Sequence, residues 1–244
     1  MKNKNRTMCG IVLAASLLQY SAFAGDNKAT SQKKDPDDLP NVLIIGDSIS
    51  IGYTGAVTGL LKGKANVSHA QTNCGPSNKG VASIKSWLGN KKWDVIHFNF
   101  GIWDTHCLHN GQLVRDRNKY KAKDWKRRNT TKEYVENLSK IIAIMKTTDA
   151  RLIWASTTPY VSYGEDTKLL IVQNNKAAKE LMDKEGVTVN DLYNLVLPHL
   201  KEWQLQDGCH FNSHGYQQLA KQVAAKISDA LNNKAKDSKP AADR

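Results

Sequence analysis

A serine, a histidine and an aspartate occupy two short polar stretches near opposite ends of the chain. Ser48 lies in IIGDSIS (residues 44–50), directly after an apolar run, and Asp207 and His210 stand three positions apart in DGCHFNSHGY (residues 207–216). A serine hydroxyl is a poor nucleophile at neutral pH, and it needs a histidine base that a third group orients. We therefore predict Ser48 as nucleophile, His210 as base and Asp207 as the orienting acid.

Acyl transfer also requires hydrogen-bond donors where negative charge develops in the transition state. The candidates are the backbone N–H of Ser48, the backbone N–H of Gly75 in NCGPSNKG (residues 73–80) and the side-chain amide of Asn99 in FNFG (residues 98–101). Because Gly75 has no side chain, its backbone can approach a substrate closely. The sequence thus predicts an oxyanion hole formed by Ser48, Gly75 and Asn99.

Each of these motifs, taken alone, also suits an ordinary structural role. Serine and aspartate are common helix N-caps, which would explain Ser48 and Asp207 without any catalysis. His210 would suit the surface, Gly75 would suit a plain turn before a proline, and Asn99 would tie up a loop. The catalytic interpretation depends on whether the fold places these residues at one edge.

Apolar runs typical of buried strands alternate with helical patterns along the chain. This alternation predicts an α/β fold in which helices cover both faces of a parallel sheet of about five strands. Ligands of such folds bind beyond the carboxyl ends of the strands, where Ser48, Gly75 and Asn99 are all expected. The predicted strands are 41–46, 65–70, 93–101, 151–159 and 187–191, and the predicted helices after the first are 80–89, 131–148, 168–185 and 213–232.

The first 24 residues resemble a cleavable signal peptide. Three cations are followed by an apolar segment that ends in Ala22-Phe23-Ala24, so we predict cleavage after Ala24 and a periplasmic or extracellular location. A membrane anchor is the alternative, but the apolar run is shorter than the ~20 residues that a membrane span needs. Residues 25–39 and 233–244 are polar and without period, and we predict a disordered leader and tail around a domain at 40–232.

The chain is basic, with 35 Lys and Arg against 23 Asp and Glu and a formal net charge of +12. Loss of residues 1–24, which hold three cations and no acid, lowers this charge to +9. Such a charge favours an anionic polymer, surface or substrate, although excess lysine also serves solubility. We expect no nucleic-acid partner, since no binding motif is present, and no metal or cofactor, since no CxxC spacing occurs.

Three cysteines remain after signal removal, and each stands near a predicted site residue. A secreted protein permits disulfides, and we predict a Cys107–Cys209 disulfide with Cys74 free. Three reduced, buried thiols remain the alternative, because spacing alone cannot fix cysteine pairing.

Residues 105–129 form a long insert that holds eight Lys and Arg against two Asp. It begins at the predicted mouth of the site, as long functional loops often do. Aromatic platforms beside cations suit an acidic sugar chain, so we predict substrate binding by Trp103, Trp125, Arg115 and Arg117. A solvated and partly flexible loop is the alternative interpretation of this insert.

On these motifs the chain resembles the SGNH or GDSL hydrolases over about residues 40–232. That family consists of esterases and lipases, and it has a flavodoxin-like, three-layer α/β/α sandwich. IIGDSIS is similar to its first block, NCGPSNKG to its second and DGCHFNSHGY to its last. The resemblance implies a nucleophile at Ser48, an oxyanion glycine at Gly75 and the acid and base at Asp207 and His210.

The third block departs from the family pattern G-x-N-D, whose asparagine donates to the oxyanion. Here the stretch is Gly101-Ile102-Trp103-Asp104, with Trp103 in the asparagine's place. Some carbohydrate-acting relatives have N-x-G at this point, and Asn99 stands two residues before Gly101. The resemblance therefore implies that Asn99 takes the oxyanion role.

Together these features predict a secreted serine esterase that removes short acyl groups, above all acetyl, from a polysaccharide. Secretion, the tryptophans, the basic insert and the lack of a long apolar stretch for a fatty chain favour this substrate. The alternatives are a lipase or lysophospholipase, a sugar O-acyltransferase, and an inactive glycan-binding homologue in which Trp103 has cost the activity.

Overall fold

The computed structural model describes residues 36–114 and 117–237. Short apolar runs form the strands of a central sheet, and three further strands lie within the insert. In chain order the strands are β1 (Asn41–Ile45), β2 (Asn66–His69), β3 (Val95–Phe98), β4 (Cys107–His109), β5 (Gln112–Leu113), β6 (Lys126–Arg127), β7 (Arg151–Ala155) and β8 (Thr188–Asn190).

Helices follow or separate the strands of the central sheet, with short 3-10 turns between some elements. They are α1 (Ser48–Leu60), α2 (Ser77–Leu88), α3 (Thr131–Met145), α4 (Glu165–Glu185), α5 (Leu192–Val196), α6 (Leu200–Trp203) and α7 (Ser213–Asp237).

The central sheet has five strands, all parallel, in the order β2-β1-β3-β7-β8. Counted within this sheet alone, that is the 2-1-3-4-5 order of flavodoxin-like folds, whose chain reverses direction between β1 and β3. The predicted fold class, a three-layer α/β/α sandwich with about five parallel strands, is confirmed.

Alternate residues of β1 face two separate cores, as expected for a strand that is buried on both sides. Val42 and Ile44 pack with residues of α1 and α7, and Leu43 and Ile45 pack with residues of α2, α3 and α4. All four side chains are at most 2% exposed. The sheet edge beyond β1 is therefore a fixed platform for the residues that follow it.

The predicted strands and helices are all present, with shifts at their ends. The strand predicted over 93–101 ends at Phe98, and the last helix continues through Asp237, five residues into the predicted disordered tail. The leader was also predicted too long, because Pro36–Asp38 forms a 3-10 turn and Leu39 is buried. The predicted signal peptide at 1–24 lies outside the described residues. No helix in the described ranges is long and apolar enough to cross a membrane.

The insert is an ordered substructure over most of its length. Its strands form a second, antiparallel sheet in the order β5-β4-β6. Cys107 and Val114 are buried at 0% and 1% exposure, so the insert contributes apolar side chains to the interior. The alternative interpretation, a partly flexible loop, therefore does not describe most of this segment.

Candidate active site

The turn between β1 and α1 places Ser48 at the carboxyl edge of the sheet. Asp47 is the N-cap of α1, and its carboxylate accepts a hydrogen bond from the backbone N–H of Ile49 at 3.0 Å. The close approach of the turn requires a residue without a side chain at Gly46, since a Cβ there would lie 2.8 Å from the Ser50 hydroxyl. Capping falls to Asp47, which leaves the Ser48 hydroxyl available for another partner.

That partner is His210, which in turn contacts Asp207, so that two hydrogen bonds connect the three residues in a relay. The Ser48 hydroxyl lies 2.8 Å from His210 Nε2, and His210 Nδ1 lies 2.6 Å from an Asp207 carboxylate oxygen. Because an ionised carboxylate only accepts hydrogen bonds, Nδ1 carries the proton and Nε2 presents a lone pair to the serine hydroxyl. The three predicted residues meet in one unbroken chain of hydrogen bonds.

The loop before α7 holds Asp207 in a fixed orientation. Its second carboxylate oxygen accepts the backbone N–H groups of Cys209 and His210, each at 2.9 Å, and Gly208 supplies the positive φ of +63° that this turn needs. Partial burial raises the pKa of Asp207, but the hydrogen bonds from His210 and Cys209 outweigh it and hold the pKa below its usual value. Asp207 is therefore an anion at neutral pH.

A second carboxylate, Asp47, contributes to the electrostatics of the same corner. It is only 2% exposed, and this burial raises its pKa to about 6 against the opposing effects of the Ile49 N–H and the charge of His210. Above pH 6 the carboxylate is ionised and places a negative charge near the His210 ring. Asp47 thus combines a capping role with an electrostatic one.

The three predicted oxyanion donors lie at this sheet edge but differ in their partners. Ser48 is the first residue of α1, where a backbone N–H has no intrahelical acceptor. The Gly75 N–H instead donates to Asn73 Oδ1 at 3.0 Å, and the Asn99 amide donates to the Ala155 carbonyl at 2.7 Å. Two of the three predicted donors are already engaged within the protein.

The model of the GDSL-like lipase/acylhydrolase family matches residues 44–218, a span that includes Ser48, Gly75, Asn99, Asp207 and His210. The chain belongs to the GDSL-like lipase/acylhydrolase family. It is accordingly a carboxylic ester hydrolase. A comparison with curated proteins gives no match.

Solved structures with the same fold include lipases and esterases. A lipase/acylhydrolase from Enterococcus faecalis is 19% identical, covers 78% of this chain and 95% of its own, and superposes with a TM-score of 0.62. An acetylxylan esterase from Geobacillus stearothermophilus is 18% identical, with 77% and 94% coverage and a TM-score of 0.61. The acetyl xylan esterase AlAXEase is 13% identical, with 77% and 99% coverage and a TM-score of 0.61. At these identities the similarity establishes the fold.

The departure from the family's third block has a structural counterpart. Trp103 stands half-buried in a 3-10 turn, and its ring lies 5.2 Å from the ring of His106. The next residue, Asp104, is fully buried and accepts hydrogen bonds from the Ser77 hydroxyl and the Asn129 amide, each at 2.5 Å. Burial raises the pKa of Asp104, and these donors oppose that effect. Asp104 thereby ties the third block of this GDSL hydrolase to the start of α2 and to the end of the insert.

The predicted substrate-binding residues of the insert have internal partners. The Arg117 guanidinium forms a bidentate ion pair with Asp166 at the start of α4 and donates to the Tyr163 carbonyl. The Trp125 ring lies against Arg117 and Arg127, with guanidinium carbons 5.4 and 5.8 Å from the ring centroid. These contacts anchor the insert and occupy Arg117 within the protein. Arg115, the fourth predicted residue, lies outside the described residues.

The predicted Cys107–Cys209 disulfide is not formed, and Cys74, Cys107 and Cys209 are all free thiols. Cys107 begins β4 and is influenced by the charges of Arg117 and Arg127, whereas Cys209 is influenced by the charges of Asp47 and Asp207. Burial raises the pKa of Cys74 to about 11 and that of Cys209 to about 12, so both stay protonated and unreactive near neutral pH. The alternative of reduced thiols is the one observed.

Sequence reasoning missed a second serine–histidine contact two residues from Ser48. The Ser50 hydroxyl lies 2.7 Å from the Asp47 carbonyl and 2.7 Å from His69 Nε2 at the end of β2. Burial lowers the pKa of His69, which favours the neutral ring. This contact ties the nucleophile turn to the loop that carries Gly75. Its only sequence signal was a histidine at the end of a weak strand pattern.

Proposed function

We propose that Ser48, His210 and Asp207 form the catalytic triad of a secreted serine esterase. The observation that carries this proposal is the relay of two hydrogen bonds, 2.8 and 2.6 Å long, at the carboxyl edge of the sheet. Membership of the family supplies the reaction class, and the relay supplies the groups that the reaction needs.

The reaction then proceeds in two acyl transfers. Ser48 Oγ attacks the ester carbonyl carbon while its proton moves to His210 Nε2, and the carbonyl oxygen becomes an oxyanion. The bond to the alcohol oxygen breaks, and His210 gives its proton to the leaving alcohol, which leaves the acyl group on Ser48. Water attacks this acyl-enzyme by the same route, with His210 again as base. Asp207 holds the imidazole and stabilises its cation throughout.

For the substrate we propose short acyl esters, above all acetyl, on a polysaccharide. Two of the structures that share this fold are described as acetylxylan esterases, and the chain's excess of cations would favour an acidic polymer. The half-buried ring of Trp103 lies at the edge that carries the relay and suits stacking on a sugar. The signal-like segment at 1–24 supports secretion, which would be tested by N-terminal sequencing of the exported protein, with Gly25 as the expected first residue.

Replacement of the nucleophile is the decisive experiment. Ser48→Ala should reduce hydrolysis of p-nitrophenyl acetate to the uncatalysed rate and abolish labelling by a fluorophosphonate. Ser228→Ala, which removes only a hydroxyl bonded to a backbone carbonyl of α7, is the matched control and should behave like the wild type. Activity of Ser48→Ala close to that of Ser228→Ala would refute the assignment.

The acyl group and polymer require a separate measurement. We expect acetate release from at least one member of a panel of acetylated polysaccharides, at a rate that the Ser48→Ala variant does not reach. Transfer of acetyl to an added sugar, measured as acylated product beyond hydrolysis, would instead favour an acyltransferase.

One observation favours a longer acyl group, as in a lipase. A cavity of about 210 Å³ is lined mainly by apolar side chains of the segment after β7 and of the α4–α6 region, including Tyr160, Val161 and Ile171. Val161 also donates its backbone N–H to the Gly208 carbonyl at 2.9 Å, so the cavity adjoins the Asp207 loop. A series of p-nitrophenyl esters from acetyl to octanoyl separates the two candidates, since a lipase would prefer the longer chains.

A further inference from the structure

The predicted donors of the oxyanion hole are partly committed to other acceptors. Trp103 replaces the asparagine of the family's third block, and the nearby Asn99 amide donates to the Ala155 carbonyl. The Gly75 N–H, which carries a single proton, is directed at Asn73 Oδ1. Of the three predicted donors, only the Ser48 N–H is left without a hydrogen bond to another part of the described chain.

Asn73 has side-chain N–H donors that are not used within the described residues. An N–H can be met only by the oxygen of a carboxamide, so the contact with Gly75 fixes which end of the Asn73 side chain is Oδ1. The opposite end, Nδ2, carries two protons and has no acceptor among the described residues. The side chain is half-buried and its residue precedes the loop glycine Gly75, so solvent and substrate can reach it.

The loop around Asn73 is held beside the nucleophile turn. The Cys74 N–H donates to the Gly46 carbonyl at 3.0 Å, which places Asn73 one residue from a contact with the turn that carries Ser48. Lys79 Nζ donates to the Asn73 carbonyl at 2.8 Å and holds the backbone from the other side. A donor held in this way loses little entropy when charge develops on the substrate, which is the condition for strong oxyanion stabilisation.

We propose that the Asn73 side-chain amide is a donor of the oxyanion hole and so a further catalytic residue. Its oxygen is anchored on Gly75, and its Nδ2 group hydrogen-bonds the carbonyl oxygen of the ester as that oxygen becomes negative. Asn73 thereby takes the role that Trp103 has vacated. This proposal rests on the proposed esterase function.

The test is Asn73→Ala, assayed with p-nitrophenyl acetate. Loss of one oxyanion donor typically lowers kcat by ~10²–10³-fold, so we expect a loss in that range with KM changed by less than about threefold. Asn99→Ala should lower kcat less, because one of the two Asn99 amide protons already has the Ala155 carbonyl as its acceptor. Asn78→Ala, an exposed asparagine five positions along the chain, is the matched control and should retain the wild-type kcat.

A wild-type or increased kcat in Asn73→Ala would overturn the proposal, because it would mean that Asn73 Oδ1 merely occupies the Gly75 N–H. If Asn73→Ala does not fold, Asn73→Asp keeps the acceptor for Gly75 but lacks both donors, and a wild-type rate in that variant is equally fatal. A trifluoromethyl ketone, which forms an anionic adduct on Ser48, gives a second readout. Its affinity should fall by the same factor as kcat, and an unchanged affinity would also count against Asn73.

Failure of this proposal and failure of the esterase function give different results. If Ser48→Ala is inactive while Asn73→Ala is fully active, only the role of Asn73 is lost. If Ser48→Ala retains activity, the triad assignment itself is lost.

Discussion

The sheet edge that carries Ser48 and the basic insert both hold many polar groups, but these groups are committed in different ways. At the edge, Ser48, His210 and Asp207 bond to one another in a line that ends at a hydroxyl open to substrate. In the insert, Arg117 and Arg127 converge on the single carboxylate of Asp166, and the Trp125 ring lies against both. One region directs its polar groups toward a reacting atom, and the other uses them to hold itself in place.

This difference shows why charge composition alone is a weak guide to a binding site. Arg117 belongs to a cation-rich stretch and was predicted to bind an acidic sugar, yet its guanidinium is paired with a carboxylate 49 residues away. Ser48 carries no charge. Because Asp47 caps α1, the Ser48 hydroxyl is not needed as a cap, and the loop at Asp207 places the basic nitrogen of His210 beside it. A polar group is available for function only when its hydrogen bonds are not already made to other parts of the protein.

Of the predictions that test this contrast, loss of the Asp207 carboxylate should produce the largest effect, a fall in kcat. Asp207→Asn replaces an acceptor of the His210 Nδ1 proton with a group that can favour the wrong tautomer, and we expect kcat to fall by ~10³–10⁴-fold. Hydrolysis of p-nitrophenyl acetate by purified protein measures this change. Asp229→Asn, an exposed position on α7, is the control, and a comparable small loss in both variants would contradict the relay.

The buried carboxylate at the same edge predicts a pH effect on stability. Burial raises the pKa of Asp47 to about 6, above the ~3.9 of an unfolded chain. Between these values the folded state binds more protons than the unfolded state, so the free energy of unfolding falls as pH rises from about 4 to about 6. Asparagine is as good an N-cap as aspartate and does not ionise.

Asp47→Asn should therefore gain stability over the wild type by about 2–3 kcal/mol between pH 4 and pH 8, since one pKa unit corresponds to ~1.4 kcal/mol. Urea unfolding at both pH values measures the gain. Asp229→Asn, which makes the same change at an exposed position of α7, again serves as the reference. If the difference in stability between Asp47→Asn and the wild type were the same at pH 4 and pH 8, burial would not raise the pKa of Asp47.

Local chemistry explains why the edge could be predicted and the insert could not. IIGDSIS and DGCH are short motifs that directly follow an apolar run or directly precede a long helix. Those neighbouring elements were enough to predict that Ser48, Asp207 and His210 lie at one edge of the sheet. The parallel arrangement of the central sheet, covered by helices on both faces, followed from the alternation of strands and helices. By contrast, the partners of Arg117, Asn99 and Cys107 come from distant segments, and no spacing in the sequence records them. Asn73 had a local signal, because an asparagine two residues before a glycine suits an Asx turn.

The smallest predicted effect tests whether the ion pairs of the insert serve only to hold it in place. Asp166→Asn removes the carboxylate shared by Arg117 and Arg127, and because that carboxylate is 52% exposed we expect a loss of only about 1 kcal/mol in stability. Limited trypsin digestion should nevertheless cut within 105–129 faster, while p-nitrophenyl acetate hydrolysis changes less than about twofold. Asp183→Asn, which breaks the exposed Lys179–Asp183 pair on α4, should leave the cleavage rate unchanged. A large loss of hydrolysis in Asp166→Asn would show that the insert takes part in the reaction on a small ester, so that its cations do more than secure the fold.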